Sequence, residues 1–411
     1  MKKWLRRLIL GTGILLVSLA FIGLTASLVV RQVAVHRAKR DFPAPGRLVE
    51  IDGRLSHIYC TGQGSPTILL ESGLDDRGSS SWASIRDQLS QVSRVCAHDR
   101  AGTMWSEPRD GPRDAERIAG ELHALFAAAS EPPPYVLVGH SLGGLLVRVF
   151  EERYPDEAAG FVFVDASHPE QDRRFPAELR QLIEKKQSEP DQRWLFRIVA
   201  PYRIFAPERP TPRTAYWWRS FPEGVLAESQ AIDAMSEQAG RTGLLGNRPV
   251  VVLTAGVPLT MPGVSAEGNA AMRRTWVELH EELAGLSTNS DHRIVEGAGH
   301  YVHEDRPEAV VTAIRDVVTA VREGGPVRRA TAATGQAGEI VDTSAVHRRS
   351  YATPFNARHA MTRESERARQ MELTGRRRGA GRAWAVSLAV ARGSRRTSRS
   401  SFAVRYADKR N

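Results

Sequence analysis

Cysteine is nearly missing from this chain: Cys60 and Cys96 are the only two in 411 residues. With no C-x-x-C spacing they exclude a disulfide framework and a thiolate-built metal or redox centre. Taken alone, the pair reads as two reduced, buried thiols. Lysine is equally scarce, 6 residues against 51 arginines, a skew that GC-rich coding explains as well as guanidinium chemistry does. Acidic residues are absent from residues 1–40, which hold eight Lys/Arg, and are outnumbered 20 to 7 over residues 321–411. The net charge of +10 therefore hides an intervening segment of net −11. A basic surface able to neutralise phosphates would have to lie on the two ends, so no nucleic-acid partner is expected. No internal repeat is visible, and long apolar runs are few. "AWAVSLAVA", residues 383–391, is too short to cross a bilayer.

One run is long enough. Leu8 to Val30 is uncharged throughout, and at about 1.5 Å per helical residue it spans a hydrocarbon core of about 30 Å. Ser18-x-Ala20 offers a signal-peptide cleavage site, but the apolar stretch continues ten residues beyond it, which favours an uncleaved anchor. Four basic side chains precede the span and four follow it, so the positive-inside rule nearly ties. The short head and terminal amine favour a cytoplasmic N-terminus and an extracytoplasmic catalytic part. The expected organisation is a head and anchor over 1–40, a globular domain over 41–323 with an inserted cap at about 169–247, and a tail over 324–411. The tail is basic, rich in Arg, Gly, Ser and Ala, and without period, a composition that predicts disorder.

From Gly46 onward, short apolar runs alternate with amphipathic stretches. Eight strands are expected, at 48–51, 55–60, 67–71, 94–98, 135–138, 160–164, 249–254 and 293–296, with helices at 82–91, 114–129, 142–152, 271–286 and 307–321. This pattern predicts an α/β fold with a mostly parallel eight-stranded sheet covered on both faces. "DGR", Asp52 to Arg54, is hairpin chemistry between the first two strands. Between Asp165 and Pro249 the alternation breaks into a charged segment carrying Trp194, Phe196, Tyr202, Phe205, Tyr216, Trp217, Trp218 and Phe221. Together these aromatics suggest a cap with an apolar ceiling.

The stretch "YVLVGHSLGG", Tyr135 to Gly144, carries the chemistry. Gly139-His140-Ser141-Leu142-Gly143 follows an apolar strand and opens a helix, the setting in which a G-x-S-x-G turn holds a serine out as a nucleophile. Three further stretches fit: "LLESGLDDRGSSSW", "CAHDRAGTMWSEP" and "VEGAGHYVHEDRPEAV". With these, the chain resembles a serine hydrolase of the α/β-hydrolase superfamily over about residues 46–323. Asp99, Arg100, Gly102 and Ser106 match the family's D-R-x-G-x-G-x-S segment, but Met104 stands where glycine is usual.

The resemblance implies Ser141 as nucleophile and His300 as base, with His303 the residue most easily confused with it. It implies backbone N–H groups of Leu74 and Leu142 as the oxyanion hole, with Gly73 before Leu74. The acid is left among Asp165 at the end of the sixth strand, Glu267 and Asp291, with Asp165 preferred. Gly73, His140, Trp217 and Trp218 are expected beside substrate. His98, His168 and His280 read as packing or surface residues, and no metal site or cofactor is expected. The family's strand order sets the second strand beside the fourth, where Cys60 and Cys96 face each other and can pair if the domain is exported.

The function implied is cleavage of a carboxylic ester with an apolar acyl group, through an acyl-enzyme. Serine at the elbow argues against epoxide hydrolase and dehalogenase chemistry, in which resembling enzymes use aspartate. An amidase, an acyltransferase or a ligand-binding module that keeps the fold are the alternatives.

Overall fold

The computed structural model of the chain describes residues 2–187 and 211–328. The expected cap aromatics Trp194, Phe196, Tyr202 and Phe205, and nearly all of the basic tail, lie outside the described residues.

The elements run α1 (Lys2–Asp41), β1 (Arg47–Ile51), β2 (Arg54–Thr61), β3 (Thr67–Glu71), α2 (Ala83–Leu89), β4 (Val95–His98), α3 (Ala115–Ala128), β5 (Tyr135–His140), α4 (Gly143–Arg153) and β6 (Ala158–Val164). After β6 come the helices α5 (Gln171–Arg174), α6 (Ala177–Gln187), α7 (Pro212–Arg219), α8 (Leu226–Ser229) and α9 (Ile232–Gly240). The chain then returns to the sheet with β7 (Val250–Ala255), α10 (Ala266–Gly285), β8 (Ser290–Val295), α11 (Val302–Asp305) and α12 (Pro307–Glu323).

The eight strands form one sheet in the order β1-β2-β4-β3-β5-β6-β7-β8. β2 pairs antiparallel with β1 and β4, and every other neighbouring pair is parallel. Such a sheet must be covered on both faces, which is why its strands read as continuous apolar runs. Alternate residues divide between two cores. Leu69, Leu137, Phe161 and Phe163 join α3, α4 and α9 on one face, while Leu70, Val136, Val138 and Val162 join α2 and α12 on the other. The hairpin joining β1 to β2 has Asp52 at φ 50 and Gly53 at φ 72. Two successive positive-φ residues are what a two-residue type I′ turn requires.

The structure moves the start of two expected elements by three residues or more. β8 begins at Ser290, three residues before the expected start. α10 begins at Ala266, five residues before the expected start, because the Ser265 hydroxyl accepts the Gly268 N–H at 3.0 Å and caps the helix there. The first helix does not stop with the apolar span. It continues unbroken to Asp41, and its last turns bury Ala34 and Ala38 against the globular body. It is the one helix among the described residues long and apolar enough to cross a membrane.

Cys60 and Cys96 face each other in the β2–β4 register and are joined as a disulfide, not left as reduced thiols. The bond closes a sequence separation of 36 residues. Reducing it should cost about 2 to 4 kcal/mol by releasing the unfolded chain. Urea unfolding with and without reductant measures this, and coincident curves would contradict a bond in solution.

Candidate active site

β5 ends at His140, and the chain must reverse into α4 within a few residues. A Cβ on Gly139 would sit 2.7 Å from the Gly143 carbonyl oxygen, and one on Gly143 would sit 2.4 Å from the Glu71 carbonyl oxygen. Both neighbours are backbone and cannot yield, so the turn admits only glycine at these positions. Ser141 between them is held at φ 51, a conformation costly for any residue with a side chain.

Three sheet-end loops deliver the other groups. His300 follows β8, and its Nε2 lies 3.0 Å from Ser141 Oγ. Its Nδ1 lies 2.7 Å from Asp165 Oδ2 at the end of β6. The other carboxylate oxygen, Asp165 Oδ1, accepts the Ala255 N–H and the Trp276 indole N–H, both at 2.9 Å. Burial alone would raise the Asp165 carboxyl, but the hydrogen bond and charge of His300 outweigh it and hold the group well below the usual carboxylate range. Asp165 is thus an anion with both oxygens engaged.

The alternatives lie elsewhere. Glu267 is exposed in the first turn of α10, and Asp291 pairs with Arg293 at 2.7 Å. His303 is fully buried, packed on Trp82 with ring centroids 4.5 Å apart. His140, buried behind the serine, donates from Nε2 to the His300 carbonyl at 2.9 Å. Burial and the neighbouring His300 push His140 down to about 3, so it is neutral and serves to fix the loop carrying His300.

The loop after β3 closes the other side. A Cβ on Gly73 would come within 2.9 Å of Ser141 Cβ, so this loop lies directly against the serine. Among the described residues, neither the Leu74 nor the Leu142 backbone N–H donates to another group. The loop is held from below by Arg100, whose Nη1 donates to Ser72 O at 2.8 Å and whose Nη2 donates to Gly73 O at 2.7 Å. The same guanidinium pairs with Glu71 at 2.5 Å and with Glu228 of α8 at 2.7 Å, all three groups being buried. Trp217 stacks on Phe221 at 5.1 Å and packs on Ala34 of α1, while the Trp218 side chain lies outside the described residues.

Sequence reasoning missed Trp276 and Glu228. They stand 111 and 128 residues from their partners and belong to no local motif.

Residues 68–313 match the alpha/beta hydrolase family, and the chain belongs to it. The uncharacterised protein YqjL of Bacillus subtilis is 24% identical and is matched over 68% of this chain and 95% of its own length. Esterase PIR7B of rice is 52% identical over 48 residues, 12% of this chain and 18% of that one. Among solved structures, an epoxide hydrolase of Bacillus megaterium superposes with a TM-score of 0.50 at 16% identity, covering 66% of this chain and all of that one. A candidate alpha/beta hydrolase of Nostoc sp. PCC 7120 gives a TM-score of 0.52 at 15% identity, over 66% of this chain and 97% of that one. At these identities the structural likeness carries the fold.

Arg100→Met should cost about 3 to 5 kcal/mol, because it leaves buried carboxylates without their cation. Pairing it with Glu228→Gln should restore part of that loss, and chemical denaturation of the single and double variants would show whether it does. His280, which donates to Ala166 O at 2.9 Å beside Asp165, is pushed down to about 4 by burial. Its contribution is fully present above about pH 6.5 and is lost as the pH falls towards 4, because the unfolded chain takes up the proton first. Between pH 7 and 4.5 the wild type should lose about 2 to 3 kcal/mol more than His280→Gln, as read by urea unfolding at each pH.

Proposed function

We propose that the protein is a serine hydrolase that cleaves carboxylic esters of apolar acyl groups through an acyl-enzyme. The observation that carries this reading is the continuous chain Asp165–His300–Ser141, with contacts of 2.7 and 3.0 Å. An unassisted serine hydroxyl is a poor nucleophile at neutral pH and needs an adjacent base.

In the proposed cycle His300 Nε2 takes the hydroxyl proton as Ser141 Oγ bonds to the substrate carbonyl carbon. The Asp165 carboxylate keeps the imidazole proton on Nδ1 and stabilises the imidazolium. Charge on the carbonyl oxygen falls to the N–H groups of Leu74 and Leu142, the latter at the positive end of α4. Collapse of the tetrahedral adduct returns the proton from Nε2 to the leaving alcohol. Water, deprotonated by the same nitrogen, then releases the acid. Gly73 flanks the reacting carbonyl, His140 backs the serine and holds the loop carrying His300, and the helices between β6 and β7 form the cap. No metal or cofactor takes part in this scheme.

The membrane reading belongs to the same proposal: α1 anchors the protein by a single span, with the catalytic domain outside the cytoplasm. A fluorophosphonate probe tests the chemistry. Labelling of the wild type should vanish in Ser141→Ala. Asp165→Asn should leave the fold intact while lowering kcat by about 10³ to 10⁴ on a chromogenic butyrate ester. Labelling that persists in Ser141→Ala, or a folded wild type that turns over no ester, would overturn the reading.

A further inference from the structure

The last turns of α1 pack against the Met104 loop and α7. Ala34 and Ala38, four residues apart and so on one face of the helix, are each 2% exposed. Ala38 shares a buried cluster with Met104, Trp105 and Tyr216, while Trp217 packs on Ala34. The chain leaving the helix is fastened as well. The Phe42 carbonyl accepts from Trp105 Nε1 at 3.0 Å and from the Tyr216 hydroxyl at 3.2 Å. The Pro45 carbonyl accepts from His57 Nε2, and His57 Nδ1 is paired with the buried Asp99 at 2.9 Å. This is no flexible tether.

Met104, where the resembling family has glycine, is the centre of the joint. It is fully buried, its N–H donates to Ser220 Oγ at 2.8 Å, and its carbonyl accepts from Arg219. Four residues before it on the same loop is Arg100, which grips the carbonyls of Ser72 and Gly73 beside Ser141. The apolar span, α7 and the loop against the serine are therefore mechanically continuous.

Distance along the helix then fixes depth. Ala34 lies four residues past Val30 and Ala38 eight, about 6 and 12 Å along the axis. The polar layer of a bilayer extends roughly 5 to 8 Å beyond the hydrocarbon on each side. With Leu8 to Val30 in the hydrocarbon, Trp217 of α7, packed on Ala34, stands at headgroup level, and the Met104 loop, packed on Ala38, lies a few ångströms above it.

We propose that the substrate is a bilayer-resident acyl ester, delivered to Ser141 from the headgroup layer past α7 rather than from bulk water. This rests on the serine-hydrolase reading and on α1 spanning the membrane. An amphiphile with its chain in the hydrocarbon carries its ester carbonyl at the interface, the depth at which the joint holds the cap.

The test uses the full chain in phosphatidylcholine nanodiscs with two probes, soluble 4-nitrophenyl butyrate and 4-methylumbelliferyl oleate embedded in the disc. Inserting seven helical residues, Glu-Ala-Ala-Ala-Lys-Ala-Ala, directly after Val30 raises the docked face by about 10 Å. It turns that face by only about 20° and leaves the contacts of Ala34 and Ala38, which follow the insertion, in place. The expected result is butyrate turnover within twofold of wild type and oleate turnover at least tenfold lower. Ala38→Glu, which breaks the joint, should act in the same direction, with fluorophosphonate labelling of Ser141 reporting an intact site. Equal oleate turnover by the wild type and the insertion variant would overturn the proposal while leaving the hydrolase reading standing. A wild type that neither labels nor turns over butyrate would overturn the hydrolase reading itself.

Discussion

The Arg100 guanidinium is the interaction on which the rest of the site depends. It is buried, and its nitrogens reach two carboxylates and two backbone carbonyls: Glu71, Glu228, Ser72 and Gly73. Burying a cation is costly, and here the cost is offset only because planar donors meet paired acceptors in fixed directions. Glu71 is shared with His98 at 2.8 Å, so the second carboxylate is not left with a single partner. The consequence is geometric. The loop proposed to present backbone N–H groups to a reacting oxygen has its carbonyls tied down on the opposite side, and the same cation binds the helical insertion to the sheet.

Backbone strain follows the same map. Of the five non-glycine residues at positive φ among the described residues, Ser141, Asp165 and Met104 have φ of 51, 42 and 42. Each such residue costs on the order of 1 kcal/mol or more and persists only where its surroundings over-determine it. Ser141 is fixed by glycines against backbone. Asp165 is fixed by the Ala255 N–H and the Trp276 indole. Met104 is fixed by Ser220 and by the buried cluster with α1. Two of the three carry the proposed chemistry, and the third carries the joint to the apolar helix.

The frame of this fold was legible because it is written in local pattern. Eight apolar runs gave eight strands, Asp52-Gly53 gave the hairpin, and Asp114 caps α3 at 2.9 Å where a helix start was expected. The elbow was legible because the steric demand at Gly139 and Gly143 falls within five residues. The acid was not. Asp165 and Glu267 both follow apolar strands, and what separates them is that β6 lies between β5 and β7, a fact of topology. Nor was the disulfide readable from composition. Only once the resemblance set β2 beside β4 did Cys60 and Cys96 come to face each other.

Met104 shows how far a local departure from pattern can be read. In the sequence it is only a glycine lost from a turn, and by itself it signals altered packing without saying against what. The answer lies 66 residues earlier and 112 later, at Ala38 and Tyr216, each belonging to a segment that reads as independent of the turn. A glycine there would keep the positive φ more easily but take one of the three buried side chains that pack on Ala38 out of the cluster. The methionine accepts the strain of φ 42 in return for a buried contact between three separate parts of the chain. A side chain that worsens its own backbone conformation is retained only where what it touches matters more. Here it touches the helix end that leads to the apolar span.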